Sequence, residues 1–149
     1  MTNQDQVSRF LIALLLTGLI AGGACQTYTT TMKQSVARAN ETSAIAILRS
    51  IALAQQTYSL SNSGKYGTFQ QLVEGGYLDS SINPASPEVK DYLLSMEVGD
   101  KQGLEFYSCK ADPKGGEMAG RHFYIDSTSR ELHVNPTQPA TASDPTYQP

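Results

Sequence analysis

The chain has 149 residues and a formal net charge of −3 at pH 7, and 17% of its residues are charged. This length fits a single domain, and the weakly acidic balance gives no electrostatic basis for nucleic-acid binding, so no nucleic-acid partner is expected. The two cysteines, Cys25 and Cys109, permit at most one intrachain disulfide.

An uncharged apolar segment runs from Phe10 to Ala24. Its fifteen residues fall short of the roughly 17 that a membrane-spanning helix needs. They match the apolar region of a secretory signal, which has about 7 to 15 residues and is followed by small residues. Gly22 to Ala24 are small, and Cys25 after them resembles the acylated cysteine of a bacterial lipoprotein signal. We therefore expect residues 1–24 to be a signal or membrane-anchor segment and Cys25 to be a lipidation site, with an uncleaved anchor helix as the alternative.

A long helix is expected after this segment. Residues 25–32 are rich in threonine, which forms helix poorly, and are predicted to be a hinge or linker. From residue 33 to about Ser61 the pattern is helical, with a narrow polar stripe that includes Arg49 and a broad apolar arc. Leu48 and Ile51 lie in the apolar arc, so we expect them to pack in the core.

The rest of the domain is expected to be a short helix followed by antiparallel strands. Thr68 and Gln71 form a capping-box pattern that predicts a helix to about Glu74, ended by two glycines. Four segments then have strand patterns: 91–98, 103–110, 121–125 and 130–134. The fold class is therefore predicted to be α+β, with the long helix packed on a three- to four-stranded antiparallel sheet. Residues 136–149 contain four prolines and no large aliphatic residue, which predicts a disordered or extended tail.

Taken in order, these elements resemble a type IV pilin or a type II secretion pseudopilin. The resemblance covers roughly residues 38 to 135 and rests on the helix Ala39–Tyr58, on Tyr66–Phe69 with Gly76–Asp79, and on the closing segment Gly120–Asp126. It implies that residues 33–135 form a pilin-like domain, exported and anchored in a membrane, at the periplasmic face or the cell surface. The function implied is structural or interaction-based, in an assembly with other pilin-like subunits.

The N-terminal segment also fits a second interpretation. Pilin precursors carry a glycine before the cleavage site and a glutamate within the apolar segment, whereas residues 8–10 and 11–16 contain neither. A free-standing periplasmic or surface lipoprotein that uses a pilin-like domain to bind an unknown ligand is therefore the alternative function.

The two histidines are the weak candidates for a metal site. If a hairpin turn is centred on residues 127 and 128, His122 faces His133 with Glu131 one pair away, and the three side chains can hold a divalent metal. The favoured alternative is a polar, solvent-facing sheet surface without metal. Phe123 and Leu132 then point to the opposite face, into the core.

The sequence contains no catalytic constellation. It has no Ser-His-Asp order, phosphate loop or zinc spacing, so we expect no enzyme activity, no catalytic residue and no cofactor. Oxygen atoms of Asp112, Glu117 and Asp126 are a further set that can bind calcium, although solvated charge is the favoured interpretation. If Cys25 is acylated, Cys109 is a lone thiol, and we expect it to pack as a small apolar residue.

Overall fold

The described residues form a five-stranded antiparallel sheet, one long helix and one short helix. A computed structural model describes residues 21–115 and 120–149, with side chains from residue 31 onward. The chain divides into two units, Met1–Val36 and Ala37–Pro149, and the second unit carries the sheet. The elements are α1 (Ala21–Ser61), α2 (Phe69–Glu74), β1 (Glu88–Val89), β2 (Tyr92–Lys101), β3 (Leu104–Pro113), β4 (His122–Asp126) and β5 (His133–Asn135), and the strands lie side by side in chain order.

The α+β class is confirmed, but the sheet has five strands where three or four were predicted. The additional strand is β1, which pairs with Tyr92 and Leu93 at the start of β2. It has only two residues and turns back through Lys90, whose φ is 52°. A strand of two residues is too short to show the alternation of apolar and polar residues from which strands are predicted, so the sequence did not predict it.

Helix α1 begins earlier than predicted and ends as predicted at Ser61. Its backbone is helical through residues 25–32, where a hinge or linker of poor helix formers was predicted. Helix propensities of ordinary residues differ by less than about 0.7 kcal/mol, and no proline or glycine interrupts this stretch. Within the described ranges, neither helix contains a stretch that is both long and apolar enough to cross a membrane.

One hydrophobic core joins α1, α2 and the inner face of the sheet. Leu48, Ile51 and Phe123 are fully buried in it and Leu132 is nearly so, and these are the four residues predicted for core packing. Gln55 is a fully buried polar residue beside this core. It accepts from the Gly67 N–H at 2.8 Å and donates to the Gly67 carbonyl at 2.6 Å, so its burial leaves no polar group unpaired.

Local signals account for α2 and for the β2–β3 hairpin. The Thr68 side chain accepts from the Gln71 N–H and the Gln71 side chain accepts from the Thr68 N–H, which is the predicted capping box. Gln102 and Gly103 join β2 to β3 with φ values of 58° and 81°. A two-residue turn with positive φ at both positions matches the twist of the strands that it joins.

The tail from residue 136, for which a disordered or an extended form was predicted, is packed against the domain. Ala140 is fully buried, and the Tyr147 N–H donates to the Leu132 carbonyl at 2.6 Å. Thr146 bridges His133 at the open side of β5. The Tyr147 ring stands edge-on to Phe123 with 5.9 Å between ring centroids. Residues 145–147 therefore run alongside β5 after a stretch of turns, and an aromatic side chain anchors them.

Candidate functional site

The structure does not bring the predicted metal ligands together. His122 pairs with Asn135, and Tyr124 rather than His122 faces His133, so the register is shifted by two residues from the prediction. The reason is the turn after β4, where Arg130 adopts a φ of 57° and its N–H donates to the Asp126 carbonyl. The connection is therefore wider than a two-residue hairpin.

Each histidine has its own partners instead. His122 lies with its Nδ1 2.5 Å from a carboxylate oxygen of Asp112, and Glu131 is exposed to solvent. No group of three or more acidic, cysteine or histidine side chains in the described portion of the chain is arranged to hold a metal. Glu117, named above as a calcium ligand, and the side chain of Cys25 lie outside the described residues.

A network of polar side chains lies at the β4–β5 connection and is called the His133 cluster: Tyr124, Asp126, Ser129 and His133. The Tyr124 hydroxyl donates to one oxygen of Asp126 at 3.0 Å. The other oxygen accepts from the N–H groups of Thr128 and Ser129, both at 2.9 Å. The Ser129 hydroxyl lies 3.3 Å from Nε2 of His133. The cluster therefore closes the loop from Asp126 to His133 on itself.

The carboxylate of Asp126 is almost completely buried yet remains ionised. Burial by itself would raise the pKa of Asp126, but the hydrogen bonds from the Ser129 N–H, the Tyr124 hydroxyl and the Thr128 N–H outweigh it and hold the pKa below its usual value. Burial and the same carboxylate raise the pKa of Tyr124 to about 12. Tyr124 is therefore a stable hydrogen-bond donor to Asp126.

The hydrogen-bond partners of His133 fix its tautomer. Its Nδ1 lies 2.7 Å from the Asp144 carbonyl oxygen, which can only accept, so Nδ1 carries a hydrogen. Neutral His133 then accepts at Nε2 from the Ser129 hydroxyl, whereas protonated His133 donates to Ser129, which in turn donates to Asp126 at 3.2 Å. Both protonation states are satisfied. Because most partners are main-chain groups or belong to this loop and the tail, the cluster's chemistry is that of a structural clamp.

Replacing Asp126 with asparagine is expected to flatten the acid limb of the stability profile. The pKa of Asp126 is lower in the folded chain, so its ionised form stabilises the fold above the unfolded value of about 3.9, and that contribution is lost as the pH falls through the folded value. Chemical denaturation between pH 7 and pH 2 measures the effect. Glu105→Gln, at an exposed position, is the matched control, and an unchanged acid slope in Asp126→Asn would exclude the carboxylate of Asp126 as its source.

An ion pair between Glu41 and Arg121 fastens α1 to the start of β4. Glu41 is 8% exposed and accepts from the Arg121 side chain at 2.8 Å and from the Arg121 N–H at 2.9 Å. Burial would raise the pKa of Glu41, but the hydrogen bonds and charge of Arg121 lower it. The two residues are 80 positions apart and neither lies in a local motif, so no sequence signal could have joined them.

Cys109 is the buried free thiol of the described residues. Burial raises the pKa of its thiol, which keeps it protonated and unreactive at neutral pH. It therefore packs as a small apolar side chain on the inner face of β3, opposite Met96.

In comparisons with known proteins, no family model, no curated protein and no solved structure matches this chain.

Proposed function

We propose that this chain is a membrane-tethered, pilin-like structural or interaction protein of a type IV pilus or type II secretion-type assembly. The order of long helix, capped short helix and antiparallel strands supports the proposal. The tether is the N-terminal segment or an acylated Cys25, and the domain is exported, at the periplasmic face or the cell surface. Its partners are other pilin-like subunits.

The observation that carries this proposal is a pair of exposed leucines on α1. Leu53 and Leu60 are 65% and 83% exposed, although Ile51 and Ala54 beside them are buried. A spacing of seven residues places the two leucines on one stripe of the helix. Covering a leucine with a partner contributes about 1.5 to 3 kcal/mol, so the stripe favours packing against another subunit.

A double substitution tests the role of this stripe. We expect Leu53→Asp with Leu60→Asp in the full chain to lose co-purification of pilin-like proteins from native membranes, because two carboxylates cannot be buried unpaired in an apolar contact. Quantitative mass spectrometry of the affinity-purified chain measures the loss. The control is Ser80→Asp with Gln138→Asp, which adds the same charge at exposed positions outside α1.

Both double variants must unfold at the temperature of the parent chain, so that lost binding is not lost folding. Equal recovery of pilin-like proteins with the two double variants would contradict the role of the stripe. Purification of the unsubstituted chain without any pilin-like or secretion-assembly protein would contradict the proposed function.

A second candidate, the free-standing lipoprotein, is supported by the small residues before Cys25. For lipid attachment we expect the intact mass of the membrane-extracted protein to correspond to a chain that begins at Cys25 and carries acyl groups. Cys25→Ser should abolish labelling with a fatty-acid analogue, whereas Ser35→Ala should label normally. If the native protein retains residues 1–24 and never labels, lipidation is wrong and the N-terminal segment is the tether. If the protein is acylated and purifies without pilin-like partners, the result favours the function of a free-standing lipoprotein.

A further inference from the structure

Strand β2 has an edge that the sheet does not use. Its ten residues all pair with β3, but β1 pairs only with Tyr92 and Leu93. The Leu94 N–H still points to that side, where it donates to the Pro87 carbonyl at 2.9 Å. Backbone groups alternate in direction along an antiparallel strand, so those of Met96, Val98 and Asp100 point the same way, beyond the end of β1. The described strands offer them no partner.

This open edge is accessible rather than covered. It borders a groove of about 720 Å³ whose other wall is formed by Thr68–Gln70 and Pro84. Glu97, Gly99 and Lys101 are exposed on the outer face of the strand. An accessible row of unpaired N–H and C=O groups is a template on which another strand can pair.

We propose that this edge pairs antiparallel with the same edge of a second copy of the chain, with Gly99 opposite Gly99 on the two-fold axis. Val98 then faces Asp100 of the other copy, and the two residues exchange their outward N–H and C=O groups. The pairing stands on the strand edge alone and does not depend on the pilin-like assignment.

Charge selects this register. With Gly99 on the two-fold axis, Glu97 faces Lys101 of the other copy. The symmetry generates a second, identical pair, so the contact contains two ion pairs. Opposite charges that face each other across strands stabilise a sheet, whereas like charges destabilise it. A register centred on Val98 instead places Glu97 opposite Gly99 and Lys101 opposite Ser95, which loses both ion pairs. The contact is the same patch on both copies, so it closes as a dimer and does not propagate.

Glycine suits the position on the axis. Gly99 falls at a non-hydrogen-bonded pair, where the two Cα atoms approach to about 4.5 Å. A Cβ added at Gly99 meets nothing within 4 Å in the chain itself, so a cysteine fits there without disturbing the fold. Two cysteines facing each other at this distance can form a disulfide.

Disulfide formation in the full chain tests the pairing. We expect Gly99→Cys to form a symmetric disulfide under mild oxidation of cells that express the full chain, seen after trypsin as the peptide Asp91–Lys101 linked to itself. That peptide contains neither native cysteine. Ser95→Cys is the control, because residue 95 is exposed on the same strand but lies about 27 Å from its own copy in this register. Equal linkage at both positions would mean random collision and would overturn the pairing.

Charge reversal in the Gly99→Cys chain tests the register. Glu97→Lys or Lys101→Glu alone places like charges opposite each other twice, and the dimer fraction on a non-reducing gel is expected to fall roughly tenfold. The double reversal restores opposite charges and should recover the parent yield, even though Lys101 no longer covers the Phe106 ring. A double variant that dimerises as poorly as the single ones, or a Gly99→Cys chain linked mainly to a different protein, would overturn the proposal.

Discussion

Leu48→Ala is expected to lower the free energy of unfolding by about 2 to 5 kcal/mol. Leu48 is fully buried in the core that joins α1 to the sheet, and a shortened side chain leaves a cavity there that the rigid neighbours fill only in part. Urea titration of the full chain, with unchanged slope, measures the loss.

Arg49→Ala is the matched control for Leu48→Ala. Arg49 is the next residue on the same helix but is exposed, so its truncation should change the free energy of unfolding by no more than about 0.5 kcal/mol. Similar losses in the two variants would mean that α1 does not bury this face against the sheet.

The sequence predicted those parts of the fold whose signals are local. The end of α1 at Ser61 and the capping box at Thr68 depend on residues within a few positions of each other. The buried side of α1 follows from its periodic pattern. The His133 cluster is an intermediate case, because an aspartate followed by three small hydroxyl residues is a recognisable turn signal, although the prediction used it only for a symmetric hairpin.

What could not be predicted depends on contacts between distant segments. The Glu41–Arg121 pair joins residues 80 positions apart. Composition predicted a disordered or extended tail and did not show its packing, in which the Tyr147 ring contacts Phe123 and the Tyr147 N–H donates to the Leu132 carbonyl. The predicted register of the β4–β5 hairpin was wrong because Arg130 adopts a left-handed conformation, which widens the turn and moves its centre. Residue composition does not show where such a turn is centred. Each of these features depends on long-range packing or on the backbone conformation of a single residue, and secondary-structure propensities predict neither.

Gly120→Ala is expected to cost about 2 to 4 kcal/mol, from backbone strain and overpacking together. Gly120 has a φ of +126°, which side chains rarely tolerate, and an added Cβ would lie 2.4 Å from the Tyr92 hydroxyl oxygen. That hydroxyl cannot easily move, because Tyr92 is fully buried and donates to the Arg121 carbonyl at 2.8 Å. Thermal and urea unfolding of the full chain measure the loss.

A second substitution separates the two causes. Tyr92→Phe removes the oxygen that the new methyl group meets, but it leaves the strained φ unchanged. The double variant Tyr92→Phe with Gly120→Ala should therefore be more stable than the sum of the single losses predicts, by about 1 kcal/mol. Gly99→Ala is the control for glycine itself, because its Cβ has free space and its φ is not left-handed; it should be neutral or slightly stabilising. Strict additivity of Tyr92→Phe and Gly120→Ala would show that backbone conformation alone requires glycine at position 120, and a Gly120→Ala variant as stable as Gly99→Ala would contradict both causes.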